Sequence, residues 1–110
     1  MHYNDGYGHK YELRFYKATY QMGGLAVFAY CKEDGNDYWE PYGDVTVWLF
    51  APKEDEYCAY LDTNNVGSLI DELVKAGYVT LTGRTAVSGW CEYPEGKFNR
   101  EWLDSLGVLG

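Results

Sequence analysis

One stretch of this sequence changes period, and that change limits the fold more than any other feature. Val66, Leu69, Ile70, Leu73 and Val74 recur at the spacing of a single helix face. The segments around them carry strand signals instead. Tyr11, Leu13 and Phe15 alternate with Glu12, Arg14 and Tyr16, the period of a strand with one buried face. Leu25 to Cys31 is apolar throughout, which predicts a central strand covered on both faces. Asp44 to Phe50 is rich in β-branched and aromatic residues and predicts a third strand, and Glu56 to Leu61 a fourth. Tyr78 to Thr82 and Val87 to Tyr93 read as short strands separated by Gly83-Arg84. The expected fold class is α+β: an antiparallel sheet of about 5–6 strands with one main amphipathic helix on one face, and a short C-terminal helix.

The ends of the helices carry their own signals. The main helix is expected over about residues 65–76, with Thr63, Asn64 or Asn65 supplying the cap oxygen at its start. Gly77 stands where a left-handed C-terminal cap belongs. Asn99 reads as the cap of a terminal helix over 100–106, with Phe98 and Leu103 at the spacing of a hydrophobic staple. Before Lys10 there is no periodicity. Asn4, Asp5, Gly6 and Gly8 are turn formers, so residues 1–9 read as a flexible arm and 10–110 as one domain. Twelve Tyr and four Trp supply large apolar surface to a chain with few aliphatic residues. Tyr11, Phe15, Phe28, Trp48, Trp90 and Trp102 are the expected aromatic core.

Charge narrows the partners. The formal net charge is −8, which disfavours direct nucleic-acid binding because phosphate attraction dominates that affinity. No apolar run approaches the roughly 18 residues of a membrane-spanning helix, and the N-terminus lacks the pattern of a secretory signal. The three widely spaced cysteines, Cys31, Cys58 and Cys91, form no C-x-x-C pair, which fits small buried thiols in a reduced cytoplasm. The acids concentrate in residues 31–60, where two basic residues face Glu33, Asp34, Asp37, Glu40, Asp44, Glu54, Asp55 and Glu56, a net of −6. With a strand over 44–50 between them, the groups at 33–40 and 54–56 lie roughly 23 Å apart, as two poles or a stripe. Tyr38, Trp39, Tyr42 and Tyr57 interleave with these acids and are residue types that anchor protein interfaces.

Signals for catalysis are weak. The two histidines, His2 and His9, lie in or beside the arm, and neither is placed to activate a cysteine. His2, Asp5 and His9 do not make a preformed metal site, and Glu33, Asp34, Asn36 and Asp37 lack the bidentate Glu of a calcium loop. No catalytic residue, metal ligand or cofactor site is assigned. Gly83-Arg84-Thr85 with Ser88-Gly89 has the makings of an anion nest. The preferred reading is structural: Asp62, Thr63, Asn64 and Asn65 form a cap and turn, and Arg84 pairs with Asp62 or the cap carbonyls.

The second half carries a spaced set of motifs: Asp62-Thr63-Asn64-Asn65, then Thr82-Gly83-Arg84-Thr85, then Ser88-Gly89-Trp90-Cys91-Glu92-Tyr93-Pro94. Across residues 59–98 this series resembles an uncharacterised family, a domain of unknown function from Gram-positive bacteria, whose members are small proteins often encoded on phages and conjugative elements. Trp90 stands where that pattern has Phe, and Glu95-Gly96-Lys97 where it is more apolar. The resemblance implies a mobile-element accessory protein working in the cytoplasm.

These features lead to a non-enzymatic binding protein. Its expected partner is a protein with a basic surface, such as a host nuclease or DNA-binding defence protein of the CRISPR or restriction kind. The surface expected to meet it is Glu33, Asp34, Asp37, Tyr38, Trp39, Glu40, Tyr42, Glu54, Asp55 and Glu56. One alternative is an accessory scaffold for conjugation or replication. Another is a small anion-binding domain using Asp62, Asn64, Asn65 and Arg84.

Overall fold

The computed structural model describes residues 1–4 and 6–108, so Asp5 of the expected arm and the end of the 10–110 span lie outside the described residues. The elements run β1 (His2–Asn4), β2 (Lys10–Thr19), β3 (Leu25–Glu33), β4 (Glu40–Asp44), β5 (Thr46–Val47), β6 (Cys58–Leu61), α1 (Thr63–Lys75), β7 (Val79–Ser88), β8 (Cys91–Phe98), α2 (Arg100–Asp104) and β9 (Gly107–Val108). The strands build two sheets where the sequence predicts one. The first has the order β1-β2-β3-β4, with β9 also beside β2; the second has the order β5-β6-β8-β7. All pairs among the described residues are antiparallel except β2 with β9. The fold is mostly antiparallel sheet with two short helices.

The chain passes between sheets at Val45, which is fully buried. The Val45 N–H donates to the Val27 carbonyl, and the Asp62 N–H donates to the Val45 carbonyl. One residue is thus tied to β3 on one side and to the end of β6 on the other. That double pairing overturns the strand expected over 44–50, because a straight strand cannot serve both sheets. Thr46 helps to hold the crossing. Its hydroxyl accepts from the Val27 N–H at 3.1 Å and bonds the Tyr20 hydroxyl at 2.7 Å.

The expected arm also needs correction. His2–Asn4 pairs with Lys10–Glu12 of β2, and Tyr3 is 5% exposed. The Tyr3 ring meets Tyr42 edge-on, and its hydroxyl bonds Ser68 of α1. A lone aromatic among turn formers gives no periodic signal, yet its burial suffices to anchor the segment.

The helices follow their caps closely. Asp62, and none of Thr63, Asn64 and Asn65, is the N-cap of α1, accepting from the Asn65 N–H at 3.3 Å. The first turn is kinked at Val66. Val66, Leu69, Ile70 and Leu73 are buried, whereas Val74 at the stripe's edge is exposed. The C-terminus closes with paired hydrogen bonds, Tyr78 N–H to Leu73 O and Gly77 N–H to Val74 O, around Gly77 at φ +80°. α1 packs against β4, β7 and β8, so it closes the core of both sheets. Asn99 caps α2 by accepting from the Trp102 N–H at 2.9 Å, and Phe98 and Leu103 are both buried. The Trp102 ring lies among Phe15, Tyr78 and Phe98, with centroids 4.9–5.9 Å away.

β7 and β8 form one hairpin. Its register runs from Val79↔Phe98 to Leu81↔Gly96, shifts, and resumes from Thr85↔Pro94 to Ser88↔Cys91. The Gly83-Arg84 break is a bulge inside a single strand, with Gly83 at φ +91°. The pairing of β6 reaches only Glu95 of β8, so residues 85–94 project beyond it as a two-stranded ribbon. Trp90 sits at the ribbon's tip and is fully exposed, which overturns its place in the expected core.

Candidate functional site

β3 spaces the acidic groups. Thr19, Gly24 and Leu25, at one end of the β2–β3 hairpin, line a cleft of about 420 Å³ with Lys53, Glu56 and Tyr57. Glu33 and Asp34 lie at the other end of β3, eight residue steps or about 26 Å away. The acids at 33–40 and at 54–56 therefore form two poles and not one stripe.

The first pole is the connection between β3 and β4. Asp34, Asp37 and Glu40 are exposed and, among the described residues, make no ion pair. Glu33 approaches the His9 ring at 3.3 Å. Tyr38 is 60% exposed. Trp39 is partly covered, with the Arg14 guanidinium 4.3 Å and the Lys32 ammonium 5.6 Å from its ring centroid. Tyr42 does not join this rim. Its ring packs edge-on against Tyr3 and Tyr11, beside the core.

At the second pole Glu54 and Glu56 are exposed, but Asp55 is committed. Lys97 Nζ lies 2.7 Å from one Asp55 oxygen, and the Tyr57 N–H and Cys58 thiol donate to the other. The Lys97 hydrogen bond, followed by that from the Tyr57 N–H, lowers the Asp55 pKa. Tyr57 borders the cleft with its ring near the Arg100 guanidinium.

Behind this pole is a feature the sequence reading missed. Glu95 is a fully buried carboxylate. The Thr82 hydroxyl donates to its Oε1 at 2.6 Å, and the Glu54 N–H donates to its Oε2 at 2.9 Å. Arg84 Nε lies 3.8 Å from Oε1, while Arg84 Nη2 and the Tyr60 hydroxyl both donate to the Pro52 carbonyl. Arg84 thus pairs with Glu95, and the expected Arg84–Asp62 pair does not form. Asp62 instead receives the Asn65 backbone and side-chain N–H groups, and Asn64 stays exposed in the first turn. Thr82 and Arg84 flank the bulge across the hairpin from Glu95. That juxtaposition was the available signal: a hydroxyl and a cation around Gly83, then an acid on the returning strand.

Glu54, Cys58 and Glu95 place one potential ligand atom each within 4.8 Å of one another. Both Glu95 oxygens already accept hydrogen bonds, and burial pushes the Cys58 thiol up to about 11, so it stays protonated at neutral pH. Burial likewise raises the Cys31 pKa, with Glu40 and Glu33 adding to it. Cys91 departs from the expectation of buried thiols by being partly exposed.

An apolar surface lies apart from the acids of the first pole. Trp48, Leu49 and Phe50 share shallow depressions with Met22 on one side and Val87 on the other. Phe50 is 88% exposed and packs its ring only 4.3 Å from that of Trp48. Trp48 is half-buried beside the hairpin and not a member of the buried core.

Residues 12–108 match the family described as Domain of unknown function (DUF4313). The chain belongs to this family. The DUF4313 match runs from within β2 to β9, leaving out β1, and includes the Glu95 node and the acidic β3–β4 connection. It agrees with the resemblance to an uncharacterised family drawn from the second half of the sequence. No curated protein and no solved structure matches the chain. No helix among the described residues is long and apolar enough to cross a membrane.

Proposed function

We propose that this DUF4313 protein is a non-enzymatic binding protein that docks a basic protein surface through the pole at Asp34, Asp37, Tyr38 and Glu40. The observation that carries this reading is the state of those acids: exposed, close together in sequence, and unpaired among the described residues beside an exposed tyrosine. Carboxylates without cations of their own are free to complement a partner's charge, which speeds encounter and selects the partner. The node at Glu95 supports a binding role over a catalytic one, since its groups are occupied with each other. In its finer form, the proposal is a cytoplasmic inhibitor, encoded on a mobile element, of a host nuclease or DNA-binding defence protein. Such targets carry basic surfaces for phosphate.

The test is a binding panel of purified basic nucleases and DNA-binding defence proteins. A variant carrying Asp34→Lys, Asp37→Lys and Glu40→Lys is run in parallel. Glu33 is left intact because of its contact with His9. The proposal expects wild type to bind at least one member and to inhibit its action on DNA, and expects the variant to lose both. Equal inhibition by the variant would sink it.

A second reading, an accessory scaffold for conjugation or replication, is favoured by the exposed apolar residues Phe50, Val87 and Trp90. It expects Trp90→Ser, not the charge reversal, to abolish capture of a partner encoded on the same element.

A further inference from the structure

β7 is the edge strand with the least protection. A bare sheet edge offers its N–H and C=O groups to any other strand, so edges are usually blunted by shortness, charge, Pro or a bulge. The other edges here carry such devices. β1 has three residues, and β5 and β9 have two each. β4 carries Glu40, Pro41 and Asp44. β8, where it runs beyond its pairing with β6, carries Glu92 and Pro94. The outer side of β7 pairs with no strand among the described residues. Its first half is blunted by the Gly83 bulge and by Arg84. Thr85, Ala86, Val87 and Ser88 lie beyond the bulge with neither charge nor Pro.

This outer part is also short of strands. Residues 85–94 project beyond β6 as a ribbon of two. A two-stranded ribbon is marginal in water, and a sheet becomes self-supporting at three or more strands. Thr85, Val87 and the tip residue Trp90 are exposed. The missing neighbour is an extended strand, and charge and symmetry select which. From Ala76 to Cys91 there is no acid, so this edge has nothing to draw a basic partner. Two copies of a chain of net charge −8 repel each other, and they meet most readily where acids are absent. The one charged residue of that stretch, Arg84, is matched by the buried Glu95 of its own chain. An antiparallel two-fold contact centred on Ala86 sets this small residue against its equivalent. It then places Thr85 opposite Val87 of the other copy, twice, and β-branched pairs of this kind pack well across strands. It also brings each Trp90 to the other copy's bulge, where Gly83 leaves open space for a ring.

We propose that the outer edge of β7 at residues 85–88 is a self-association surface, where a second copy of this chain pairs antiparallel and the two ribbons become one four-stranded sheet. The contact is separate from the acidic pole and does not depend on a basic partner. So short an edge buries less than the roughly 1,200 Å² of stable interfaces, so the dimer is weak, with a dissociation constant of about 100 µM. At the roughly 1 µM of a fluorescence experiment the chain is then a monomer with Trp90 in water.

The test is sedimentation equilibrium of the full chain alone, from about 5 to 500 µM, with an isotope-edited NMR dilution series over the same range. The expected result is a mass that rises from one chain toward two, with concentration-dependent shifts in the amide signals of residues 84–90. The discriminating variant is Thr85→Lys with Val87→Lys. It moves the net charge from −8 to −6, which relieves the general repulsion between copies. Across the proposed contact, however, it sets Lys opposite Lys twice, so dimerisation should weaken by roughly ten-fold or more. If the variant does not fold, the dilution map of the wild type decides. A single-chain mass throughout overturns the inference. So does association that the lysines leave unchanged or strengthen, or shifts that map away from 84–90. None of these results bears on the basic-partner reading, which the nuclease panel decides separately.

Discussion

Replacing Glu95 by Ala probes the least expected part of the structure. The carboxylate accepts from the Thr82 hydroxyl and the Glu54 N–H, and it is fully buried. Hydrogen bonds to a charged group contribute roughly 1.5–3 kcal/mol each, and both donors would lose their partner. The Arg84 contact adds little, at most about 0.5 kcal/mol, because 45% of the Arg84 side chain is in solvent. The expected loss is about 4 kcal/mol. For a domain of this size that lowers the Tm by roughly 15 °C. Glu95→Gln retains the shape: its amide oxygen still accepts from the Glu54 N–H and its amide N–H donates to the Thr82 hydroxyl, which reverses its role, so the expected cost is only about 1–2 kcal/mol. Urea unfolding followed by tryptophan fluorescence measures both. Limited trypsinolysis after Lys53 gives an independent readout, since Glu95 is what holds the Glu54 amide. A Glu95→Ala protein within about 1 kcal/mol of wild type, with Lys53 no more sensitive, would refute the node as the anchor of this loop.

Three further outcomes follow from the same contacts. Trp90→Ala should change stability by less than about 0.5 kcal/mol while removing the component of fluorescence most quenched by acrylamide, whereas Trp102→Ala should cost about 3 kcal/mol. In the native protein at pH 8, one thiol per chain, Cys91, should react promptly with a disulfide reagent, and Cys31 and Cys58 only after unfolding. The Asp55–Lys97 contact holds the Asp55 pKa below its unfolded value, so its stabilisation is present above about pH 4 and is lost as pH falls through the lower, folded value. Asp55→Asn should accordingly flatten the acid limb of the stability profile, which a pH series of thermal melts reads directly.

Local signals carried much of the fold. The apolar stripe, Gly77 and Asn99 marked both helices because caps are short-range chemistry, settled by a few residues. Strand existence was also visible at β2, β3 and β6. The division into two sheets was not, since it depends on Val45 pairing with Val27 and Asp62, residues far apart in the chain. Tyr3 was hidden for the opposite reason, as a single anchor without periodicity. Trp90 was misplaced because residue type favours burial, while a two-residue hairpin tip leaves a side chain nothing to pack on. The acids of the first pole were readable as residues, but their freedom from ion pairs is a property of the fold. Glu95 was the deepest omission: an acid reads as surface until Thr82 and the Glu54 amide are seen around it.

The most direct measurement of the central claim is the affinity of the chain for a purified basic nuclease at two ionic strengths, with wild type and the Asp34→Lys, Asp37→Lys, Glu40→Lys variant side by side. Complementary charge predicts wild-type binding that weakens at least ten-fold as salt rises from about 50 to 200 mM, and a variant that does not bind at either. Wild-type affinity that is indifferent to salt, or is matched by the variant, would contradict the account.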